Sequence, residues 1–316
     1  MAEAAIHGEA ARITRIDHGW GGPGFIASYL VADGDDLALV EAGPASTLEA
    51  LLAGVRAAGH DPARLTHLLL THVHLDHAAG AGQLARLAPQ ARIYVHGLGA
   101  PHLEDPSRLL ASAARLYGDR VDEMWGTMLP VPRDRIRVPA DGEAIRVGGR
   151  TLVALHTPGH AIHHLAFHDP DARLVFTGDV AGIRLDGAPH VRPPTPPPDL
   201  DTPRWLESIG RLRALRPETL LLTHFGAVAD PGWHLDDLAA RLSDWTRRAG
   251  EATDRAAFAA ALQSDGDAQL LAASGDAVLV RRYADCIPYE MMAAGLLRQA
   301  HPRPSTPRQD RGGPAL

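Results

Sequence analysis

Residues 71–77 read THVHLDH, three histidines and an aspartate within seven positions. The segment THLLLT (66–71) is compact and apolar enough for a buried strand, and AAGAGQLARLA (78–88) reads as a helix despite its glycines. The polar residues therefore sit where a strand ends and the chain turns into a helix. Open α/β sheets build their sites at that end. His72 and His74 are two apart, and extended backbone puts both side chains on one side. Asp76 and His77 fall in the turn itself.

The same arrangement recurs downstream. TLVALHTPGH (151–160) carries His160 just past one strand, RLVFTGDV (173–180) carries Asp179 past another, and TLLLTHFG (219–226) carries His224 past a third. Four strand ends deliver histidine, aspartate and almost nothing else that can react. Imidazole and carboxylate suit zinc, iron or manganese, and this many such groups are enough for two ions.

Around these motifs, IASYLV (26–31) and LALV (37–40) read as strands separated by a DGDD turn. STLEALLAGVRAA (46–58) reads as an amphipathic helix with a Ser or Thr cap, and RIYV (92–95) as a further strand. Helical patterning covers 99–128, and RPPTPPPDLDTP (192–203) precedes a helix at 203–215, with another near 234–248. Strands alternating with helices predict an α/β layered fold. The expected organisation is a main domain over 1–230 with a helical insertion at 99–130, a largely helical extension over 231–300, and a disordered tail at 301–316.

Composition narrows the chemistry. Counting 31 basic against 38 acidic residues in 316 gives 31 − 38 = −7, and every basic residue is arginine. Without lysine there is no Schiff-base chemistry and no Walker P-loop. Net negative charge gives no support to nucleic-acid binding. Cys286 is the only cysteine, so neither an intrachain disulfide nor a thiolate metal cage can form. The first twenty residues lack a signal-peptide apolar core, and no stretch approaches the ~18 apolar residues of a membrane span. A cytoplasmic protein with a small-molecule substrate is expected, with neither nucleic acid nor membrane as partner; a homodimer is an open option.

THVHLDH, TPGH, TGD and THFG, in that order, resemble the metallo-β-lactamase-fold superfamily of metallohydrolases, in its glyoxalase II-like branch. The resemblance implies a four-layer αββα sandwich with metals at one edge of two facing sheets. It implies His72, His74 and His160 as ligands of a first metal. Asp76, His77 and His224 match the ligands of a second, and Asp179 matches the aspartate that bridges both. Two divalent ions are implied, zinc first, with iron or manganese as alternatives. Two such cations share a water, lower its pKa and give hydroxide for attack on an ester-like bond: thioester, lactone, carboxylic ester or phosphoester. Asp76 and Asp179 are the carboxylates able to shuttle its proton.

Departures from subfamily patterns narrow the expectation. The commonest zinc β-lactamases carry cysteine where Asp179 stands, and flavodiiron proteins carry glutamate where His74 stands. Acyl-homoserine-lactone lactonases typically have a tyrosine at the position of Gly182. Glyoxalase II enzymes have a GHEY-like segment where this chain has THFG. An iron-dependent oxygenase resembling persulfide dioxygenases, with one metal, remains an alternative, as does a nucleic-acid-processing relative.

Other residues carry smaller expectations. Glu41, in LALVEAGP, sits where many relatives have an aspartate supporting the metal loop, and His163 is expected beside the ligands without binding metal. Tyr117 and Trp125 in the insertion are candidate substrate contacts, and the insertion itself is a candidate lid. Arg184 and Arg192, in AGIRLDGAPHVRPP (181–194), are candidate anchors for an anionic substrate group.

Overall fold

The computed structural model describes residues 13–302, so the tail expected at 301–316 lies outside the described residues from 303 onward. Two six-stranded sheets face each other. The first runs in spatial order β1 (Ile13–Asp17), β2 (Ala27–Asp33), β3 (Asp36–Val40), β4 (His67–Leu69), β5 (Arg92–Tyr94) and β6 (Ile136–Arg137). The second holds β7 (Ala144–Val147), β8 (Arg150–His156), β9 (Leu165–Asp169), β10 (Leu174–Gly178), β11 (Thr219–Leu222) and β12 (Gly226–Val228), in the order β12-β11-β10-β9-β8-β7.

Alternation along the strands explains why the sheets stack. In β2, Ala27, Tyr29 and Val31 point between the sheets, while Leu30 points outward. In β10, Leu174 and Phe176 point between them, and Val175 outward. Period-two side chains thus feed three apolar layers, one between the sheets and one on each outer face. On the first outer face, α1 (Leu48–Ala57) contributes Leu51 and Val55, and α3 (Ala81–Leu87) contributes Leu84. On the second, α7 (Thr202–Ala214) contributes Trp205, Ile209 and Leu212, and α8 (Pro231–Glu251) contributes Leu235, Leu238 and Leu242. The result is the four-layer αββα sandwich.

Residues 231–300 continue from α8 into α9 (Arg255–Ser274), α10 (Ala277–Cys286) and α11 (Tyr289–Ala300). They join both outer cores. Leu279 and Tyr283 pack with the first, and Tyr289, Met292 and Leu296 with the second. The insertion folds as α4 (Ala100–Glu104), α5 (Ser107–Tyr117) and α6 (Val121–Trp125). Among the described residues, no helix is long and apolar enough to cross a membrane.

One local expectation fails. A 3-10 turn at Ala45–Thr47 precedes α1, and neither Ser46 nor Thr47 caps the helix through its side chain. Ser46 Oγ donates to the Met124 carbonyl, and Thr47 Oγ1 to the Pro44 carbonyl. Those bonds to the insertion and to the preceding loop take the hydroxyls that would otherwise cap.

Trp205 ties α7 to the sheet beneath it. It is fully buried, and its indole N–H donates to the Val180 carbonyl at 2.7 Å. Gly159, at φ 141°, lies so close that a Cβ there would sit 2.3 Å from Trp205 Cα. Trp205→Ala is expected to destabilise the fold by about 3–5 kcal/mol, the usual cost of a buried aromatic truncation. Urea denaturation of the two proteins at one metal concentration measures it.

Candidate metal centre

The strand ends converge at one edge of the sandwich. β3 and β4 run parallel in one sheet, as do β10 and β11 in the other, so their C-terminal ends meet there. Glu41 follows β3, His72 and His74 follow β4, Asp179 follows β10 and His224 follows β11. The four-residue helix α2 (Leu75–Ala78) holds Asp76 and His77. The β8–β9 connection adds His160, His163 and His164.

Seven donors form two groups. His72 Nε2 and His160 Nε2 lie 2.9 and 3.0 Å from His74 Nδ1, and His160 Nε2 lies 3.3 Å from Asp179 Oδ2. In the second group, Asp76 Oδ2 lies 3.5 Å from His77 Nε2 and 3.4 Å from His224 Nε2. Asp179 Oδ1 is 3.2 and 3.4 Å from those same nitrogens. Each oxygen of Asp179 therefore faces a different group.

Hydrogen bonds fix which imidazole nitrogen is free. Nδ1 of His160 and of His224 sit 2.9 and 2.7 Å from the carbonyls of Pro194 and Phe25, which can only accept. His77 Nδ1 donates to Glu41 Oε1 at 2.9 Å. The Thr71 hydroxyl donates to the same carboxylate at 2.5 Å and so accepts from His72 Nδ1 at 3.0 Å. In all four rings Nδ1 carries the proton, leaving the Nε2 lone pair directed inward.

These residues fit a pair of cations. His77 Nε2, His224 Nε2 and Asp179 Oδ1 are buried without hydrogen-bond partners. Nε2 of His77 and of His224 faces these carboxylate oxygens, so either a ring proton or a bound cation meets the converging lone pairs. A tetrahedral ion with bonds of ~2.0–2.1 Å has donor–donor edges of about 3.3 Å, close to the spacings in both groups.

Electrostatics agree with that reading. Burial and the neighbouring His77, His74 and His160 push His72 well below the usual imidazole pKa, so it is the neutral form that a ligand requires. Burial opposes ionisation of Asp179, yet His77, His160 and His224 hold its carboxyl well below the usual value. Burial opposes charge on His77 as well, but Asp76, Asp179 and Glu41 outweigh it and raise its pKa well above normal. Positive charge is thus favoured where the carboxylates converge.

The metallo-beta-lactamase superfamily profile matches residues 21–224, well over half of the chain. The chain belongs to that superfamily. Among curated relatives, a metallo-beta-lactamase fold-containing protein of Sulfurisphaera tokodaii is 30% identical over 169 residues, 52% of this chain and 62% of that protein. A hydroxyacylglutathione hydrolase of Cereibacter sphaeroides is 31% identical over 163 residues, 50% of this chain and 47% of the hydrolase. The chain thus spans about half the length of the hydrolase it matches. Among solved structures, a metallo-beta-lactamase family protein from Thermus thermophilus superposes with TM-score 0.65 at 21% identity, covering 90% of each chain. That likeness shows the shared fold.

Behind this superfamily site lies a layer of supporting contacts. Glu41 is fully buried and accepts from the Thr71 amide, the Thr71 and Thr223 hydroxyls and His77. Its backbone has φ 68°, and its carbonyl accepts from Ser28 Oγ at 2.9 Å. The structure places His163 on the wall of the cavity that the donor groups also line, with Nδ1 unpaired. His164, which sequence reading did not separate from it, supports Asp179. Its Nε2 accepts from the Asp179 amide at 3.2 Å, and its Nδ1 meets Thr157 Oγ1 at 2.9 Å. Gly178, at φ 50°, leaves room for this approach, since a Cβ there would sit 2.8 Å from His164 Nε2.

The donors open into a cavity of about 1250 Å³. Tyr117 and Trp125 line it, so the insertion covers the metal edge. Trp125 is nevertheless largely buried, stacked on Trp20 at 4.9 Å, with Tyr117 edge-on at 5.5 Å. The segment expected to line the pocket at 181–194 does not. Arg184 bonds to Asp230 and the Ala188 carbonyl and lies over the Trp233 ring. Arg192 is fully buried, its guanidinium 5.2 and 5.1 Å from the ring centres of Tyr283 and Tyr289. Both cations serve packing after β10, and the lining resumes only at Pro196. The opposite wall comes from α10 and α11, with Cys286, Ile287 and Met291, which sequence reading did not connect with the site.

Proposed function

We propose that this chain is a dinuclear metal-dependent hydrolase of ester-like bonds. The carrying observation is that Asp179 presents one oxygen to each of two donor groups, and both groups contribute side chains to the lining of one cavity. His72, His74 and His160 would hold one cation, Asp76, His77 and His224 the other, and Asp179 would serve both. When bound, zinc, iron or manganese ions supply Lewis acidity that lowers the pKa of a water and polarises a carbonyl or phosphoryl oxygen.

The chain's own residues do the rest. Asp76 has 19% side-chain exposure against 3% for Asp179, so it is the carboxylate open to the cavity. It accepts the proton of the attacking water at a carboxylate oxygen and returns it to the leaving group. Glu41 and the carbonyls of Pro194 and Phe25 hold the imidazoles in one tautomer. Trp20, Phe25 and Met124 give the cavity an apolar stretch of wall against which the substrate's carbon can pack.

The complete second donor group favours this reading over a one-iron oxygenase resembling persulfide dioxygenases. The site within the lining of one cavity of about 1250 Å³, in a chain of net charge −7, also favours a small molecule over a nucleic acid. Thioesters lead the substrate classes because the hydroxyacylglutathione hydrolase relative carries that activity in its name; lactones, carboxylic esters and phosphoesters follow.

A screen of metal-replete protein against one thioester, lactone, carboxylic ester and phosphodiester tests the proposal. Turnover of at least one is expected, abolished by chelation and restored by adding zinc or manganese. Turnover that survives complete metal removal contradicts it, as does oxygen consumption without hydrolysis.

A further inference from the structure

We infer that the cavity selects a flexible acyl chain of medium to long length, joined to a leaving group that carries an anion. This rests on the hydrolase reading and names the substrate of that same site. The volume of about 1250 Å³ exceeds the ~300–1,000 Å³ usual for small-molecule pockets. A short acyl group would leave most of it filled with water.

The wall is apolar and adaptable. α5 supplies Leu109, Leu116 and Tyr117, α6 supplies Met124, and the C-terminal helices supply Ile287 and Met291. The Tyr117 hydroxyl meets Met291 Sδ at 3.7 Å, so insertion and C-terminal helices touch across the cavity. Methionine and leucine conform to a flexible chain, whereas the indoles of Trp20 and Trp125 already stack on each other.

Charge sits in a separate row. Arg108 and Arg115 are two turns apart on α5, on one face with Ser112 between them, and all three line the cavity. Leu109 and Leu116 form the adjacent row. Arg255, at the start of α9, lines the cavity too. Arg108 is within electrostatic reach of Asp105, but none of these three arginines forms an ion pair among the described residues. The lining acids lie elsewhere: Glu123 pairs with Arg120, Asp199 follows the prolines, and Asp285 and Glu290 lie on α10 and α11. An amphipathic substrate along α5 therefore meets carbon on one row and guanidinium on the next.

In the reaction, the water oxygen bonds to the acyl carbon and the carbon–sulfur bond breaks. The departing thiolate takes a proton, giving a carboxylate and a thiol. The anion on the leaving group is either phosphate or carboxylate, and coenzyme A and glutathione thioesters distinguish them.

The experiment uses metal-replete protein and butyryl, octanoyl and dodecanoyl thioesters of coenzyme A, glutathione and neutral N-acetylcysteamine. kcat/KM is expected to rise about fourfold per buried methylene until the cavity fills. An anionic leaving group should exceed the neutral one by about tenfold, and Arg108→Ala with Arg115→Ala should narrow that gap to about twofold. Ala294 lines the cavity from α11, and Ala294→Phe and, independently, Ser112→Phe should move the optimum to shorter chains. Quenching of the cavity tryptophans gives a readout without turnover, in which dodecanoate binds at least about tenfold more tightly than butyrate. Turnover that is flat across chain length and leaving-group charge overturns this inference while leaving the hydrolase reading intact. If no thioester turns over, the thioester assignment fails while hydrolysis of the other ester-like classes stands or falls on its own screen, and the binding titration decides the acyl cavity. Selective dodecanoate binding, weakened by Ala294→Phe, supports the acyl cavity, and equal binding of the two carboxylates overturns it.

Discussion

Asp179→Ala is expected to remove both metal ions together and to lower kcat/KM by well over about 100-fold. The reasoning starts from its two oxygens, one 3.3 Å from His160 Nε2 and the other 3.2 Å from His77 Nε2. Replacing a residue that merely supports a ligand typically costs 10–100-fold in metal affinity or activity. A carboxylate shared by two cations should cost more, because its loss leaves both with one donor fewer and with stronger mutual repulsion. His224→Ala removes a donor from the second group alone. It should leave close to one ion bound and give a smaller loss of activity. Metal content and steady-state kinetics on the two variants distinguish these patterns. An Asp179→Ala protein that keeps both ions and near-normal turnover contradicts the shared role.

Glu41→Gln is expected to weaken the second ion by about 10–100-fold while leaving the first group's affinity within a few-fold. Glu41 touches no other member of the seven-donor set except His77, whose Nδ1–H it accepts. The substitution removes the negative charge facing that ring. A glutamine amide presented to His77 in the reverse orientation also sets two donors against each other. Thr71 and Thr223 lose part of a shared acceptor, so some loss of thermal stability should accompany the change. Calorimetric titration of metal-free protein resolves the two affinities. Unchanged affinity at both sites removes Glu41 from the metal account and leaves it a buried structural acid.

The sandwich and the metal site differ in how plainly the sequence wrote them. His72, His74, Asp76 and His77 lie within six residues, and His160, Asp179 and His224 each follow an apolar run. Metal ligands need particular atoms at strand ends, so local order in the chain carries them. The longer strands were legible for a similar reason, because buried runs such as 174–178 are continuous and apolar. β1, β6, β7 and β12 were not recognised. They have two to five residues with mixed burial or lie at sheet edges, where periodicity has little length in which to register.

The supporting layer was only half legible. Glu41 was flagged by its place after a strand, but its partners Thr71 and Thr223 come from both sheets and meet only on folding. His163 and His164 are adjacent in sequence and point to different environments, a distinction set by the turn into β9. Sequence order alone puts Arg184 and Arg192 beside the pocket, because they follow Asp179. The chain after Asp179 instead turns beneath α8 and α10, where aromatic rings and Asp230 take the guanidinium groups. The contribution of α10 and α11 to the cavity had no local signal at all, since nothing in their pattern states which surface they cover.

The central claim is that one chain holds two cations through seven donors that share Asp179. Elemental analysis of protein loaded with zinc or manganese and then freed of excess ion tests it most directly. Two ions per chain are expected. One ion per chain at saturation, with calorimetry showing a single binding event, would contradict it.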